Sequence, residues 1–303
     1  MRLLVLGSQG QVGRSLQRAL VPLGTVTGAD ADGAAEHALD LTDATALSAL
    51  LGTARPDVIV NAAAYTAVDR AESDPEGARA VNAELPAVLA RHAVGSGALL
   101  VHYGTDYVFD GSGHSPRDEG AATQPLSVYG RTKRDGEEAI AASGCRHLIL
   151  RTSWVYSAHG QNFPRTILRL ARERDRLRVV ADQVGAPTDA ELLADMTAYA
   201  IPSALARPPC RGLWHVAAAG EVSWHGLAVH VLRRAQALGM PLKAGPDAVD
   251  GVSSADYPVA ARRPLNSRLD CRRFEQAFGI ALPPWQAGID RLVAAWASER
   301  HGP

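Results

Sequence analysis

Tyr129-Gly-Arg-Thr-Lys133 sets a phenol and an amine four residues apart, a spacing that puts both on one face of a helix. An ammonium beside a phenol favours the phenolate. The pair therefore predicts a tyrosine pKa lowered from about 10 toward the range useful for acid–base catalysis. The lysine stands out for a second reason: of 31 basic residues only Lys133 and Lys243 are lysine, the rest being arginine. Upstream, Tyr103-Gly-Thr105-Asp106-Tyr107-Val-Phe-Asp110-Gly reads as a strand end followed by a sharp turn. There Thr105 can offer a hydroxyl to the same carbonyl oxygen as Tyr129, while Asp110 reads as a turn cap.

A second constellation lies at the start of the chain. Gly7-Ser8-Gln9-Gly10-Gln11-Val12-Gly13 follows a short apolar run and opens a helical pattern. In a chain with 28 glycines the triplet alone says little, so its position carries the weight. A tight turn there brings the backbone of Gly7, Gln9, Gly10, Gln11, Val12 and Gly13 against a pyrophosphate, with free helix N–H groups pointing at the anion. Asp30 ends the second apolar run, 17 residues beyond Gly13, where a carboxylate can bind the adenosine ribose hydroxyls. Its charge favours NADH over NADPH, although Arg14 leaves NADPH open. Further cofactor contacts are expected from Asp40 and Leu41, and from Ala62, Ala63, Ala64, Tyr65 and Thr66 after the third strand. The nicotinamide end falls to Tyr129 and Lys133.

Elements of α/β type would position these groups. Apolar runs at Leu3–Leu6, Thr25–Ala29, Val58–Val60, Leu99–His102 and His147–Leu150 alternate with helical patterns at Val12–Leu20, Ala44–Leu51, Pro75–Val94 and Tyr129–Ala142. That alternation predicts a Rossmann-type, doubly wound parallel sheet with a smaller C-terminal substrate-binding lobe. We expect the first to comprise 1–152 plus about 177–217, and the lobe about 153–176 and 218–303. Later helices fit Phe163–Arg174, Ala190–Ala204, Ser223–Leu238 and Trp285–Ser298, with short strands at Arg178–Ala181 and Leu213–Val216; Pro241–Leu265 reads mostly as loop. The 303 residues are 47% hydrophobic and carry a formal charge of −1, which excludes a disordered chain and any uniform field for nucleic acid. Cys145, Cys210 and Cys271 lie too far apart for a disulfide scaffold or zinc knuckle and suit a reducing compartment. The N-terminal apolar run is too short for a signal peptide and no run of 18 apolar residues occurs, so neither membrane contact nor export is expected and the setting is cytoplasmic.

Together these residues resemble the extended short-chain dehydrogenase/reductase superfamily. Four further segments narrow the likeness: Asn61-Ala-Ala-Ala-Tyr-Thr-Ala-Val-Asp69-Arg-Ala-Glu72, Arg151-Thr-Ser-Trp154-Val-Tyr156, Asp182-Gln-Val-Gly185-Ala-Pro187-Thr188 and Ala261-Arg-Arg-Pro-Leu-Asn-Ser-Arg-Leu269. With them the chain is similar over nearly its whole length to the dTDP-4-dehydrorhamnose reductase family. The resemblance implies reduction of the C4 keto group of dTDP-4-dehydro-L-rhamnose by NADPH or NADH, a step in making cell-surface polysaccharide precursors. It casts Tyr129 as proton donor, Lys133 as its tuner and a cofactor ligand, and Thr105 as the hydroxyl adjusting Tyr129. Thr105, Asp106, Tyr107 and Trp154 would contact the sugar nucleotide, and Arg263, with Arg262, its diphosphate or the lobe interface. Family members linked to Mg²⁺ carry glutamates where this chain has Ser15 and near Ala295. Only Glu191 of that set remains, so no metal is expected, Glu191 serving only if Mg²⁺ is used, and a homodimer stays open. Two rivals share the scaffold. One is another sugar-nucleotide epimerase, reductase or dehydratase, although a dehydratase commonly has a Thr-Asp-Glu run where this chain has Thr105-Asp106-Tyr107. The other is a non-catalytic regulatory subunit.

Overall fold

Leu3, Leu4, Val5 and Leu6 are all buried, and an unbroken apolar run of this kind is what a strand covered on both faces requires. In the computed structural model, which describes residues 1–298, that run is β1 (Arg2–Leu6). Its side chains alternate between two cores, Leu3 and Val5 in one and Leu4 and Leu6 in the other. Then come α1 (Gln11–Ala19), β2 (Thr25–Asp30), the two-residue β3 (His37–Ala38) and α2 (Ala44–Ala54), whose first N–H groups are capped by Asp43. β4 (Val58–Asn61) leads through α3 (Val68–Ala71), α4 (Pro75–Arg79) and α5 (Leu85–Ser96) to β5 (Leu99–Thr105), α6 (Val128–Ala142) and β6 (His147–Thr152). Beyond it lie β7 (Val155–Tyr156), α7 (Phe163–Glu173), β8 (Leu177–Val180), β9 (Val184–Gly185), β10 (Thr188–Asp189) and α8 (Ala190–Ala206). The chain closes with β11 (Gly212–His215), β12 (Val222–Ser223), α9 (Trp224–Ala237), β13 (Val249–Val252), β14 (Asn266–Ser267), α10 (Arg272–Phe278) and α11 (Trp285–Ser298).

Seven of these strands form one sheet in the order β11-β6-β5-β4-β1-β2-β3, every pair parallel. This is the expected doubly wound α/β architecture. Because β1 lies between β2 and β4, the connections on its two sides run in opposite directions. A crevice opens there, beyond Leu6 and Asn61, where such sheets take their ligands. The core that holds Leu3 and Val5 continues through Trp214, Phe274, Trp285 and Trp296, so the C-terminal elements pack against the sheet rather than around a separate centre.

The structure refines two expectations. The single helix expected over Pro75–Val94 is interrupted by a π-turn at Ala80–Glu84. Pro86 has no N–H to give the Asn82 carbonyl four residues earlier, and the helix widens there. The Asn82 side chain is buried at this turn. It accepts from Tyr65 N at 2.9 Å and donates to Tyr65 O and Thr132 Oγ1, both at 3.2 Å. Second, Pro241–Leu265 is mostly loop, as expected, but contains the short β13, which runs parallel to β8 in a separate two-stranded sheet. β8 is the strand expected near Arg178–Ala181, but it lies outside the main sheet, which the chain rejoins only at β11.

Candidate active site

A cleft of about 830 Å³ runs across the carboxyl ends of the central strands. At one end the walls are backbone. Gly7 turns with φ +75°, and a Cβ there would stand 2.6 Å from Ala63 N. A Cβ at Gly13 would stand 2.0 Å from Gly7 O, so α1 can press against the turn only with glycine at that position. Gly10 begins α1 without a side-chain cap, leaving its first N–H groups for an anion. Gln9, Gly10, Gln11 and Val12 line the cleft with Gly7. Asp30 lines it too, accepting from Gln9 N at 2.9 Å and thereby tying the second strand to the glycine turn.

Asp40, Leu41, Ala62, Ala63, Ala64 and Thr66 complete this end of the wall. Asp40 accepts from the backbone and hydroxyl of Thr42, and those bonds hold its carboxyl below the usual range. Two expected cofactor residues do not line the cleft. Gly13 acts by close packing, and Tyr65 turns away to donate its hydroxyl to Asp74 at 2.9 Å. The bare backbone cradle and the helix end fit a dinucleotide diphosphate, and the carboxylate beside them fits a ribose diol.

The other end is built of buried side chains. Ser127 caps α6 by accepting from Gly130 N at 3.1 Å, so the helix begins just before Tyr129 and carries it and Lys133 into the cleft. Thr105 ends β5, and its hydroxyl accepts from Tyr107 N and donates to Asp106 Oδ1 at 3.3 Å. Tyr107 meets the Tyr129 ring edge-on at 5.5 Å. Asp106 is buried, its Oδ2 finds no hydrogen-bond partner, and burial lifts its carboxyl to about 7.

The expected lowering of the Tyr129 pKa is overturned. Burial pushes the phenol up to about 12, with the Thr105 hydroxyl pulling the other way, and pushes Lys133 down to about 8. The Lys133 amine is engaged elsewhere: it donates to Tyr103 O at 2.6 Å and lies 3.3 Å from His102 Nε2. One turn further along α6, Glu137 takes two hydrogen bonds from Arg151, at 2.9 and 2.7 Å, both residues buried.

Trp154 also lines the cleft, and its backbone is left-handed at φ +49°, which is costly for a bulky residue. Its ring stacks on Trp224 at 3.6 Å, and Trp224 faces both this cleft and a second cavity of about 900 Å³. Arg263 is not on the cleft wall. It lines the second cavity with Arg262, and its guanidinium is taken by Asp69 at 2.6 and 3.1 Å. Glu191 sits in the first turn of α8, and no group of three or more His, Cys, Asp or Glu among the described residues could hold a metal ion.

This geometry coincides with a family pattern. Residues 1–298 match the model of the RmlD substrate binding domain. The dTDP-4-dehydrorhamnose reductase of Escherichia coli K12 is 47% identical over 293 residues, covering 97% of each chain. The chain belongs to the dTDP-4-dehydrorhamnose reductase family. Among solved structures, a reductase of the family from Clostridium acetobutylicum superposes with a TM-score of 0.88 at 32% identity, covering 98% of this chain and 99% of the other. One from Bacillus anthracis, in complex with NADP, gives 0.87 at 32%, covering 97% and 99%.

Family membership leaves several groups at the site that motif reading missed. Val68 lines the cleft from within the Asn61–Glu72 segment but was not singled out there, and Val81, Gln161 and Trp224 line it from segments without a recognisable motif. Glu137 could have been found, since it continues the four-residue spacing of Tyr129 and Lys133. Asn82 and His102 carried no such signal, because only the fold brings them to α6.

Proposed function

We propose that this chain reduces the C4 keto group of dTDP-4-dehydro-L-rhamnose to give dTDP-L-rhamnose, using NADPH or NADH. One observation carries the reading: the Tyr129, Thr105 and Lys133 side chains share a cleft with the Gly7–Gly13 turn. A nicotinamide dinucleotide, when bound, supplies the hydride. The turn and the start of α1 hold its diphosphate, Asp30 its adenosine ribose, and Asp40, Leu41, Ala62, Ala63, Ala64 and Thr66 the adenosine side. Lys133 and Tyr129 hold the nicotinamide end.

Tyr129 stays protonated through neutral pH and donates its proton to the oxygen that gains charge at C4. Thr105 orients that oxygen and the phenol. The proton donor is thus a side chain, and the step requires no metal. Asp106, Tyr107 and Trp154 contact the sugar nucleotide, and Arg263 acts through Asp69 to fix the segment around Ala261 beside the second cavity. In this division of labour the seven-stranded sheet serves the cofactor and the C-terminal elements the nucleotide sugar. Among the described residues no helix is long and apolar enough to cross a membrane. We place the reaction in the cytoplasm, a setting supported by three free cysteines.

The test follows NAD(P)H absorbance with dTDP-4-dehydro-L-rhamnose. Oxidation of either nucleotide that depends on the sugar supports the proposal. Folded protein that oxidises neither overturns it. Tightly retained NAD would then point to an epimerase, and no nucleotide binding to a regulatory subunit.

A further inference from the structure

Behind Lys133, at the ends of β4 and β5, two buried side chains form a chain of hydrogen bonds whose directions can be worked out. Ala63 N–H, which can only donate, gives to Asn61 Oδ1 at 3.2 Å. The Asn61 amide nitrogen must then face His102, whose Nδ1 is 3.1 Å away. An NH₂ group donates, so Nδ1 is the acceptor. Burial and the neighbouring Lys133 charge hold this imidazole well below its usual range, so it is neutral and carries its one proton on Nε2. Nε2 lies 3.3 Å from Lys133 Nζ, and Nζ also donates to Tyr103 O at 2.6 Å.

A free amine could accept the Nε2–H with its lone pair. An ammonium has only donors, so N–H would face N–H. Relieving that contact by moving the ring proton to Nδ1 transfers the conflict to Asn61, and rotating the amide transfers it to Ala63. Asn61 and His102 are each 1% exposed, so water has little access to mediate.

We propose that Asn61 and His102 are a positioning pair for Lys133: the amide commits the imidazole to present an N–H to the amine, and the pair thereby opposes the amine's charged form. The other ionisable groups around Lys133 are Tyr129 and Glu137 from α6 and, paired with Glu137, Arg151 from β6. Glu137 pulls the opposite way, favouring the ammonium. The charge of Lys133 is set between a carboxylate on its own helix and an N–H from the sheet. Motif reading assigns Lys133 a fixed charge; this arrangement makes it adjustable.

The consequence for turnover rests on the proposed role of Lys133, but the physical claim does not, and the chain is suited to testing it. With two lysines, Lys133 and the exposed Lys243, full-length protein carrying ¹³Cε-lysine gives two resonances. The ¹⁵N shifts of the His102 ring, assigned by loss of signal in His102→Gln, report its tautomer in the unmodified protein. The Nε2–H form supports the proposal, and the Nδ1–H form overturns it without any variant at Asn61.

Asn61→Asp keeps the acceptor for Ala63 N–H and presents a second acceptor to His102. The ring proton should move to Nδ1, Nε2 should turn its lone pair to Lys133, and the Lys133 titration midpoint should rise by at least about one pH unit. A midpoint that rises with the tautomer unchanged is simple attraction to the new carboxylate and overturns the relay, as does no movement of either. In the turnover assay the alkaline limb of kcat should move with the resonance. If tautomer and midpoint both move while that limb stays put, the relay stands and the assignment of Lys133 to the reaction falls.

Discussion

The two ends of the cleft are made of different material. The Gly7–Gly13 end is backbone: a left-handed glycine, an uncapped helix start and a carboxylate already bonded to Gln9 N. The Tyr129 end is a set of titratable side chains sunk beneath the surface, with Lys133, Asp106, His102 and Glu137 all under 5% exposed. Burial there displaces the phenol, the amine and the carboxyl of Asp106 from their ordinary values. The first end is fixed by shape and has little for pH to act on. The second is fixed by charge and proton placement, and an isosteric change can disable it. In the proposed function one end recognises a part common to many dinucleotides, while the other acts on one bond.

The sharpest way to separate the ends is Tyr129→Phe, which removes one oxygen and leaves the shape. It should lower kcat by about 10²–10⁴-fold with the dissociation constant for NAD(P)H nearly unchanged, as read by steady-state rates and nucleotide fluorescence titration. A comparable loss of nucleotide affinity would merge the two ends into one functional unit.

Asp106 tests the charge side through stability. Its carboxyl sits near 7 in the folded chain against about 3.9 for an aspartate in water, so the folded state binds the extra proton between those values. Its contribution is complete below about pH 4 and is lost as the pH rises through 7. Relative to Asp106→Asn, the wild type should lose on the order of a few kcal/mol across that window in denaturant titrations. A difference independent of pH would show that the carboxyl is already ionised when the protein is acidic.

At the other end Gly7→Ala places a Cβ 2.6 Å from the Ala63 backbone at a positive φ. A strain of about 1–3 kcal/mol should cost roughly ten- to a hundredfold in nucleotide affinity, equally at pH 6 and pH 8. A pH-dependent loss would undo the contrast. The smallest effect is expected of Asp30→Asn, which keeps an acceptor for Gln9 N but removes the charge. The NADPH-to-NADH ratio of kcat/KM should rise by about tenfold or less, since a single half-buried charge at the cleft wall is partly screened by solvent.

Much of the glycine end was legible in the sequence because its chemistry is backbone chemistry, and a strand, a glycine run and a helix are local patterns. Tyr129 and Lys133 were legible for the same reason, being neighbours on one helix. Their proton energetics were not, because these depend on Tyr103 O, His102 and Thr105, delivered by another strand. The π-turn at Ala80–Glu84 was legible only in part: Pro86 was in view, but the use of Asn82 as a brace between Tyr65 and Thr132 needs three segments in register. β13 escaped notice because four residues with a glycine among them carry no periodicity, and its partner β8 lies 72 residues earlier.

The paired indoles of Trp154 and Trp224 have a use outside chemistry. Rings lying 10° from parallel at 3.6 Å share their excited states, so the pair should give a coupled band in the near-ultraviolet circular dichroism spectrum. A guest that slides between them or tilts either ring would alter that band. Occupancy of this pocket can therefore be watched optically in the unlabelled protein, whatever the reaction under way.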